Sequence, residues 1–596
     1  MIYSDFNDSQ FLTALSNRPD LLVFNENKVS VFALELFFGL EDVLNTLSSA
    51  VTGGSDDAKT DILFTHRDQA SIVLIQAYEA QTFKPSAKGN KGADLSYALG
   101  VLLTAPEADI PTGIRPHVLD ARAALKSGEI NMIHVWYLHN LPESQQIKQQ
   151  MQPIIEPAKA QLLAYQTHEF NIDINIKEIG LETLDLFYKS SKQAIIIDKQ
   201  LTFDPPRDGF LISNTDWDSF ITTIPGDWLA DLYRNHNNTE LFSANVRGFM
   251  GANKKDNDKV INAGIQESAA KAPLDFFVFN NGITALVHSF EIDPNDHQKL
   301  LSIKGISIVN GAQTTGSLGS LPTDIDLSQI KIGVRFIKCE QKSKIESITR
   351  YNNSQNRVIQ SDFRANDSIQ ERLRMEFNSL PSAEYDGGLR GYVTKDRKLK
   401  IDAHSSAQAL MAWHGSPSDS YHKKMMIWDD NDLYSLAFDA SISAPHILFI
   451  YTLLEASNLL KDSLRQKEKV GDIPQHEKEL LLFLNERGSS FLVIHAMGKI
   501  IETLMEAKIK SPYGISFKEH LSRDACINLW TELLIQLSYN IKTLHAGLKN
   551  RLSNKGEIMK VTTEFTTAIG SNFMAFKTQF GVNPYTKFVD KIENNI

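Results

Sequence analysis

Hydrophobic and polar positions alternate with two different periods over the first 200 residues. Val31–Leu44 has apolar residues at helical spacing, which predicts one amphipathic helix. Three short apolar runs rich in β-branched residues are typical of strands: Asp61–Phe64, Ser71–Tyr78 and Met132–Leu138. Strands and helices that alternate in this way predict an α/β layer structure for residues 1–200.

The pattern changes twice more along the chain. Paired prolines in Leu201–Asp208 predict a boundary, and the region from 201 to 430 is rich in glycine, asparagine and strand-like runs. Its predicted elements are strands at Phe276–Phe279, Ile283–Leu286, Ser307–Val309 and Ile332–Ile337, and a helix from Ser361 to Asn378 in which Ser361 caps the first turn. The Phe276–Phe279 run is predicted to be buried.

Long apolar-periodic segments with few glycines fill the last part of the chain. Ser490–Lys508 and Asp524–Leu544 are examples, and they predict a helical bundle over residues 431–596. The predicted fold is therefore multidomain, α/β and α+β, with an α/β domain at 1–200, a mixed α+β domain at 201–430 and a helical domain at 431–596.

Composition excludes several classes of protein. The chain has 61 Lys+Arg against 72 Asp+Glu, a net charge of −11, which argues against a histone-like or polybasic membrane-binding protein. Two cysteines exclude a disulfide scaffold and a cysteine-rich zinc module. The N-terminus lacks a signal-peptide pattern and no apolar run approaches the roughly 18 residues of a membrane span. We therefore expect a cytoplasmic protein without a membrane partner.

One stretch reverses the overall charge. Residues 331–400 contain 15 Lys+Arg and 9 Asp+Glu, so the stretch carries +6. This excess predicts a basic surface that could hold a nucleic-acid backbone. The alternative is that the charges line an ordinary solvated helix and hairpin.

The first candidate site combines Asp61 with Gln76 on the following predicted strand. Metal-dependent phosphodiester cleavage needs a carboxylate and a second oxygen ligand for a divalent ion. The arrangement resembles PD-(D/E)XK nucleases, which implies that Asp61 and Gln76 hold Mg²⁺ or Mn²⁺ and that Glu35 or Glu41 adds a carboxylate.

A cation normally completes that motif two positions after the second ligand, but this chain has Tyr78 there. A tyrosine cannot supply positive charge, so either Lys59 or Lys84 takes the role or cleavage has been lost. Acidic residues after the Gly53–Gly54 turn are also common in turns without any catalytic role.

A second candidate site lies in the middle region, where amides and hydroxyls stand beside glycines. Exposed backbone N–H groups in such loops can bind phosphate. The alternative is that each Asn-Gly forms only a hairpin turn. The candidate nucleotide- or nucleic-acid-binding residues are Arg247, Asn280, Asn281, Asn310, Gln313, Thr314, Arg350, Asn352 and Asn353.

Several of these motifs, taken in order, resemble one family. The ordered segments are Leu241–Gly248, Phe276–Leu286, Ile308–Thr315, Val334–Lys338 and Tyr351–Arg372. Together they resemble the AIPR family of bacterial abortive-infection phage-resistance proteins, over roughly residues 240–415. Asn310–Thr315 is also similar to segments of ParB-like nucleotide-binding domains.

The AIPR resemblance implies a restriction-endonuclease-like N-terminal domain reading GG-x-D-x-G-x-D and then Q-x-K. This chain departs at Ala58–Thr60 and at Tyr78. The resemblance thus implies a defence protein that cleaves DNA or RNA. Two alternatives remain: a degenerate nuclease-fold sensor of a nucleotide, nucleic acid or phage component, and a scaffold that works as a homo-oligomer or with a partner effector.

Overall fold

A computed structural model gives the fold of the chain. It describes residues 3–52, 56–89, 92–166, 172–236, 238–245, 258–323, 325–353, 364–365, 367–380, 382–389, 394, 399–471, 473–518 and 521–594. The fold is a mixed α/β architecture with several sheets. Within the described residues, no helix has the length and apolar composition of a membrane span.

The N-terminal region contains a four-stranded mixed sheet. Its elements are α1 (Gln10–Ser16), α2 (Lys28–Phe38), α3 (Val43–Leu47), β1 (Ile62–His66), β2 (Ser71–Tyr78), α4 (Gly92–Leu103), α5 (Arg115–Lys126), β3 (Met132–His139), α6 (Gln145–Leu162), β4 (Asp173–Ile179) and α7 (Leu181–Lys192). The strand order is β1-β2-β3-β4, with β1 antiparallel to β2 and the remaining pairs parallel.

Alternation of side chains along β2 divides the apolar residues between two cores, one on each face of the sheet. Ile72 and Leu74 pack into a core that includes residues of α4 and α6. Val73 and Ile75 pack into the opposite core with α2. The near-continuous apolar run of β2 is what a strand buried on both faces requires.

The central region forms a second sheet of six strands. Its elements are β5 (Ile197–Ser213), β6 (Trp217–Pro225), α8 (Gly226–Asn235), α9 (Asn238–Leu241), α10 (Asp258–Lys271), α11 (Phe276–Phe279), β7 (Ile283–Val287), β8 (Ser289–Asp293), β9 (Asp296–Asn310), α12 (Ala312–Gly319), β10 (Lys331–Cys339) and α13 (Lys342–Asn353). The order is β5-β6-β10-β7-β9-β8. Because β5 also pairs with β9, five of these strands close into a ring.

Helices dominate the rest of the chain. The elements are α14 (Ser368–Phe377), β11 (Glu384–Tyr385), β12 (Lys400–Ile401), α15 (Ala403–His414), α16 (Pro417–His422), α17 (Met426–Asp429), α18 (Asn431–Ala437), α19 (Ala444–Val470), α20 (Gln475–Asn485), α21 (Ser489–Met505), β13 (Ile515–Phe517), α22 (Arg523–Leu537), α23 (Lys555–Phe580), α24 (Thr586–Val589) and β14 (Ile592–Asn594). One hydrophobic core runs from Leu373 to Ile592, so packing continues across residue 430, where the sequence predicts a boundary.

A buried carboxylate joins the N-terminal sheet region to these helices. Asp120 of α5 is fully buried and accepts hydrogen bonds from Arg67 at 2.6 Å, Tyr421 at 2.9 Å and Arg487 at 3.1 Å. Arg551 lies 3.4 Å away. Arg67 follows β1, whereas the other three partners belong to the C-terminal half, so one buried acidic side chain connects the two regions.

Two helix predictions differ from the structure. Val31–Leu44 is not one helix, because α2 ends where Gly39 adopts a left-handed conformation with φ 62°. The prediction that Ser361 starts a helix falls outside the described residues. The described helix, α14, instead begins at Ser368, where Asp367 caps it by accepting from the Gln370 N–H at 2.8 Å.

Two strand-level predictions are also corrected. Phe276–Phe279 is a single helical turn rather than a buried strand, and Val278 is 75% exposed. A short apolar run without flanking periodicity is compatible with either a helical turn or a strand, so the sequence pattern does not distinguish them. Leu201–Asp208, where the sequence predicts a boundary, lies inside β5, whose register with β9 shifts between Thr202 and Arg207. That irregularity accommodates the prolines, which cannot donate to a sheet.

Candidate functional site

Asp61 lies where β1 meets the end of β2, next to Gln76. Its backbone N–H donates to the carbonyl of Ile75 at 2.9 Å. Its side-chain Oδ2 accepts from the N–H of Ala77 at 2.7 Å. These two bonds hold the carboxylate against the strand that carries Gln76, so the structure brings together the two residues that the sequence paired.

The Gln76 amide is buried and only half satisfied. Gln76 is 3% exposed, and its Nε2 donates to Oδ2 of Asp94 at 3.2 Å. Its Oε1 has no hydrogen-bond partner among the described residues. An unpaired buried carbonyl oxygen costs about 1–3 kcal/mol. A bound cation would remove that cost, because amide and carboxylate oxygens are the ligands that Mg²⁺ and Mn²⁺ prefer.

Asp94 is a site residue that the sequence reasoning missed. It lies in the first turn of α4, which covers the same face of the sheet as Gln76. Only its position eighteen residues after Gln76, at the start of an apolar helix, hints at a role in the sequence. With Asp61 and Asp94, the site has two carboxylates and one amide oxygen.

The carboxyl ends of β2, β3 and β4 bring further polar groups to this face. Gln76 is in register with Tyr137, and Tyr78 with His139. His139 Nε2 lies 3.1 Å from Oε1 of Glu178, and both side chains are fully buried. Tyr78 is half-buried at the end of β2 and packs against the apolar core of this face. Parallel strands that end together commonly build ligand sites at that edge.

Glu35 and Glu41, the predicted additional carboxylates, have other partners in the structure. Glu35 is on α2, whose apolar residues pack on the opposite face of the sheet, and it accepts two hydrogen bonds from Arg18 at 2.7 and 3.0 Å. Glu41 accepts from Lys400 at 2.5 Å. These contacts give the two glutamates structural partners. Asp94 rather than either glutamate contacts Gln76.

The lysines proposed to replace the missing cation are both exposed. Lys59 has a left-handed backbone with φ 63°, and Lys84 lies in the loop after β2. No ion pair of either lysine is present among the described residues. The Gly53–Gly54–Ser55 turn of the motif falls outside the described residues.

Polar side chains of the central sheet form a second cluster. Thr284 of β7 is in register with both Asn310 of β9 and Arg335 of β10. The Arg335 guanidinium donates to Thr284 Oγ1 at 2.7 Å and to Asn352 Oδ1 at 2.8 Å. Gly311 follows with φ 96° and starts α12, so the strand end and the helix N-terminus meet beside an arginine. Helix N-termini favour anions.

The other predicted residues of the central site differ in their exposure, and some fall outside the described residues. Asn310 and Gln313 are exposed, whereas Thr314 is 5% exposed and lies inside α12. Asn280 donates to Ser268 and to the Phe276 carbonyl, and Asn281 is exposed. Arg247 falls outside the described residues, as do the side chains of Arg350 and Asn353. Arg335 was not among the residues predicted.

Of the eight Lys and Arg side chains that are described in the basic stretch 331–400, four form ion pairs. Lys338, Lys344 and Arg372 form ion pairs with Asp218, Asp216 and Glu376. Lys400 lies between Glu41 and Asp386. Half of the described cations in this stretch therefore already have a carboxylate partner within the chain.

A third acidic group joins the N-terminal region to the segment before α15. Oxygens of Glu41, Asp386 and Asp402 lie within 4.8 Å of one another. The ammonium of Lys400 is 2.5 Å from Glu41 and 3.3 Å from Asp386. Burial and the neighbouring Asp402 carboxylate raise the pKa of Asp386. Lys400 neutralises part of the charge of this cluster and connects Glu41 of the N-terminal region to Asp386, so the cluster is a structural junction.

Part of the chain matches a protein-family model. Residues 242–532 match the family model described as AIPR protein. This result supports the AIPR identity inferred from the ordered motifs, and the Asp61–Gln76 site lies outside the matched segment. Comparison with curated proteins and with solved structures gave no match.

Proposed function

We propose that this chain is an abortive-infection phage-resistance protein that cleaves nucleic acid at a metal site formed by Asp61, Gln76 and Asp94. The AIPR match implies a role in phage resistance. The observation that carries the cleavage proposal is the buried, unpartnered Oε1 of Gln76 beside two carboxylates.

The three side chains fit a divalent cation. Asp61 and Asp94 provide carboxylate oxygens, and the Gln76 amide, whose Nε2 donates to Asp94, provides Oε1. A divalent cation bound there would polarise a phosphodiester and lower the pKa of a water molecule. The Ala77 N–H holds the Asp61 carboxylate in place, so the ligand geometry is preorganised.

A cleavage assay with the full chain tests this proposal. Plasmid, linear DNA and RNA are incubated with Mg²⁺ or Mn²⁺ and the wild-type protein, the Asp61→Ala variant or the Asp68→Ala variant. Asp68 is an exposed aspartate at the opposite end of β1 and serves as the matched control. We expect cleavage by the wild type and Asp68→Ala, and none with Asp61→Ala or EDTA. Cleavage that survives in Asp61→Ala would contradict the proposal.

A sensor role is the second candidate, and the arrangement around Arg335 favours it. The guanidinium is fixed between Thr284 and Asn352 at the N-terminal end of α12, an arrangement suited to a phosphate. Tyr78 in place of a cation also fits a nuclease fold that binds without cleaving. Intact substrates in every assay, together with nucleotide binding that Arg335→Ala removes, would support this reading.

The matched control for that binding measurement is Lys331→Ala. Lys331 is an exposed cation on the same strand, four residues before Arg335. Isothermal titration with a nucleoside triphosphate should give equal heats for the wild type and Lys331→Ala. Equal heats for Arg335→Ala as well would exclude this pocket.

A further inference from the structure

A cavity of about 210 Å³ lies at the seam where the N-terminal region packs against the last turns of α19. We call it the seam cavity. Its N-terminal wall contains the segment 23–27, Val51 and Asp57, and its other wall is formed by α19. Asp61 also lines the cavity, whereas Gln76 and Asp94 do not. An occupant of the seam cavity therefore meets a different set of side chains from an ion held by Gln76 and Asp94.

Carboxylates outnumber cations around the seam cavity. The ionisable side chains that line it are Glu26, Asp57, Asp61, Asp462, Arg465 and Lys469. Arg465 pairs with Asp462 at 3.3 Å, and Lys469 pairs with Glu26. No ion pair of Asp57 is present among the described residues. Four negative charges against two positive charges leave a net charge of −2, so an occupant with two positive charges would neutralise the lining.

Asn27 adds a buried hydrogen-bond acceptor to the N-terminal wall. It is 6% exposed, and its Oδ1 has no hydrogen-bond partner among the described residues. Asn27 is the N-cap of α2, where a side-chain oxygen usually accepts from the first turn, yet it makes no capping hydrogen bond. An unpaired buried amide oxygen costs free energy until a donor reaches it. The lining thus indicates a ligand that donates hydrogen bonds.

The spacing of the carboxylates indicates an organic cation rather than a bare metal ion. In the described part of the chain, the three acidic side chains whose oxygens lie within 4.8 Å of one another are Glu41, Asp386 and Asp402, and none of them lines the seam cavity. Carboxylates that are farther apart suit a ligand whose own positive charges are separated.

The size and the apolar lining of the seam cavity agree with such a ligand. Its volume corresponds to about seven water molecules at roughly 30 Å³ each, which is more than a single ion requires. The apolar side chains of its lining are Val23, Phe24 and Val51. A hydrocarbon chain that packs against them is removed from water, which is favourable.

We propose that the seam cavity binds a short aliphatic diamine. Its ammonium groups donate to Asn27 Oδ1 and to Asp57 and balance the surplus charge of the lining, while its methylene chain packs against the apolar side chains. An ammonium group has three donors and no acceptor, which matches a lining whose unpaired polar atom is an acceptor. The inference is independent of the proposed function, because it requires neither a metal ion nor cleavage.

Isothermal titration of the full chain with putrescine, a four-carbon diamine, tests this site. We expect one molecule bound per chain. Asn27→Leu and Asp57→Asn should each bind putrescine roughly tenfold more weakly, because each loses a hydrogen bond from a charged donor. Butylamine has the same chain length but a single charge, so the wild type should bind it roughly tenfold more weakly than putrescine.

The neighbouring carboxylate provides a matched control. Asp56 does not line the seam cavity, and its Oδ2 accepts from the N–H and the hydroxyl of Thr112, each at 2.8 Å. Asp56→Asn should therefore bind putrescine with wild-type affinity. Both test variants should fold, because Asn27→Leu removes no capping hydrogen bond and an asparagine at 57 can still accept from the Lys59 N–H. Circular dichroism checks the fold of each variant.

Three results would overturn the inference. They are the absence of putrescine binding by the wild type, equal affinity of the wild type and Asp57→Asn, and Mg²⁺ binding that Asp57→Asn removes without any binding of putrescine. The last result would make the seam cavity a metal site. Gln76→Leu should bind putrescine as the wild type does, because Gln76 does not line the seam cavity. Failure of the diamine site and failure of the proposed nuclease site are therefore observed separately.

Discussion

Replacing Asp120 by asparagine tests how the two halves of the molecule are joined. The substitution keeps the shape of the side chain but removes the charge that neutralises three arginines. Arg487 is the most buried of them, with a side chain that is 9% exposed. Arg67 and Arg551 are 24% and 28% exposed and therefore keep part of their hydration.

The expected loss of stability comes mainly from Arg487, the most buried of the three arginines. Removing one partner of a buried ion pair costs about 3–5 kcal/mol, because the remaining charge loses its compensation. The contributions of Arg67 and Arg551 are smaller, since partly exposed pairs are screened by solvent. We expect Asp120→Asn to lower the free energy of unfolding by about 3–5 kcal/mol.

Urea denaturation followed by circular dichroism measures this loss, and Glu129→Gln is the control. Glu129 accepts from the same Arg67 at 2.6 Å but is 41% exposed, so its loss should cost less than about 1 kcal/mol. Equal losses for the two variants would refute the reasoning that burial at the seam, rather than the number of ion pairs, sets the stability.

The Asp120 carboxylate should also make the stability of the fold fall at low pH. Arg487 and Arg67, together with hydrogen bonds, outweigh burial and hold the pKa of Asp120 below its usual value. The stabilisation is therefore fully present above the unfolded pKa of about 3.9 and is lost as the pH falls through the folded value. The stability difference between the wild type and Asp120→Asn should be constant from pH 7 to 5 and shrink below about pH 4.

Three further predictions concern other parts of the molecule. Gly311→Ala should destabilise the central sheet by about 1–3 kcal/mol in thermal unfolding, because φ is 96° and a Cβ would lie 2.4 Å from Ile283. The control Gly264→Ala should not destabilise it, because Gly264 has open space around it. Burial raises the pKa of Cys526 to about 12, so Ellman's reagent at pH 8 should label only Cys339 in the folded protein and both thiols in guanidinium; two fast-reacting thiols in the folded chain would contradict this. Lys400→Met should destabilise the fold by about 3–5 kcal/mol, because it leaves Asp386 and Asp402 buried without their cation. Addition of Ca²⁺ should restore part of the lost stability. An unchanged urea midpoint would contradict the conclusion that this cluster is a structural junction.

Local patterns predicted some elements well. The sequence prediction of a strand at Ser71–Tyr78 is confirmed to the residue, because a short β-branched run bounded by turns leaves little ambiguity. The helix from Val31 was predicted too long, since the pattern of apolar residues continues past Gly39 although the chain turns there. Phe276–Phe279 lacks any neighbouring periodicity, so its helical turn was not predictable from the run itself.

The candidate sites depended on contacts over longer distances. Asp61 and Gln76 belong to two consecutive predicted strands, and the antiparallel pairing of these strands in the structure brings the two residues together. Asp94 and Glu178 reach this face through a helix and a parallel strand whose pairing no local pattern specifies. The ion pair of Lys469 with Glu26 joins residues more than four hundred positions apart, and only the packing of α19 against the N-terminal region brings them together.

The most direct test of the central claim is a thermal-unfolding titration with Mn²⁺. A ligand at one hundred times its Kd stabilises the folded state by about 2.7 kcal/mol, so binding at Asp61, Gln76 and Asp94 should raise the melting temperature of the wild type. Gln76→Leu keeps the volume but removes Oε1, and it should abolish the rise, whereas Gln69→Leu on the turn before β2 should keep it. The same Mn²⁺-dependent rise in Gln76→Leu as in the wild type would contradict the site.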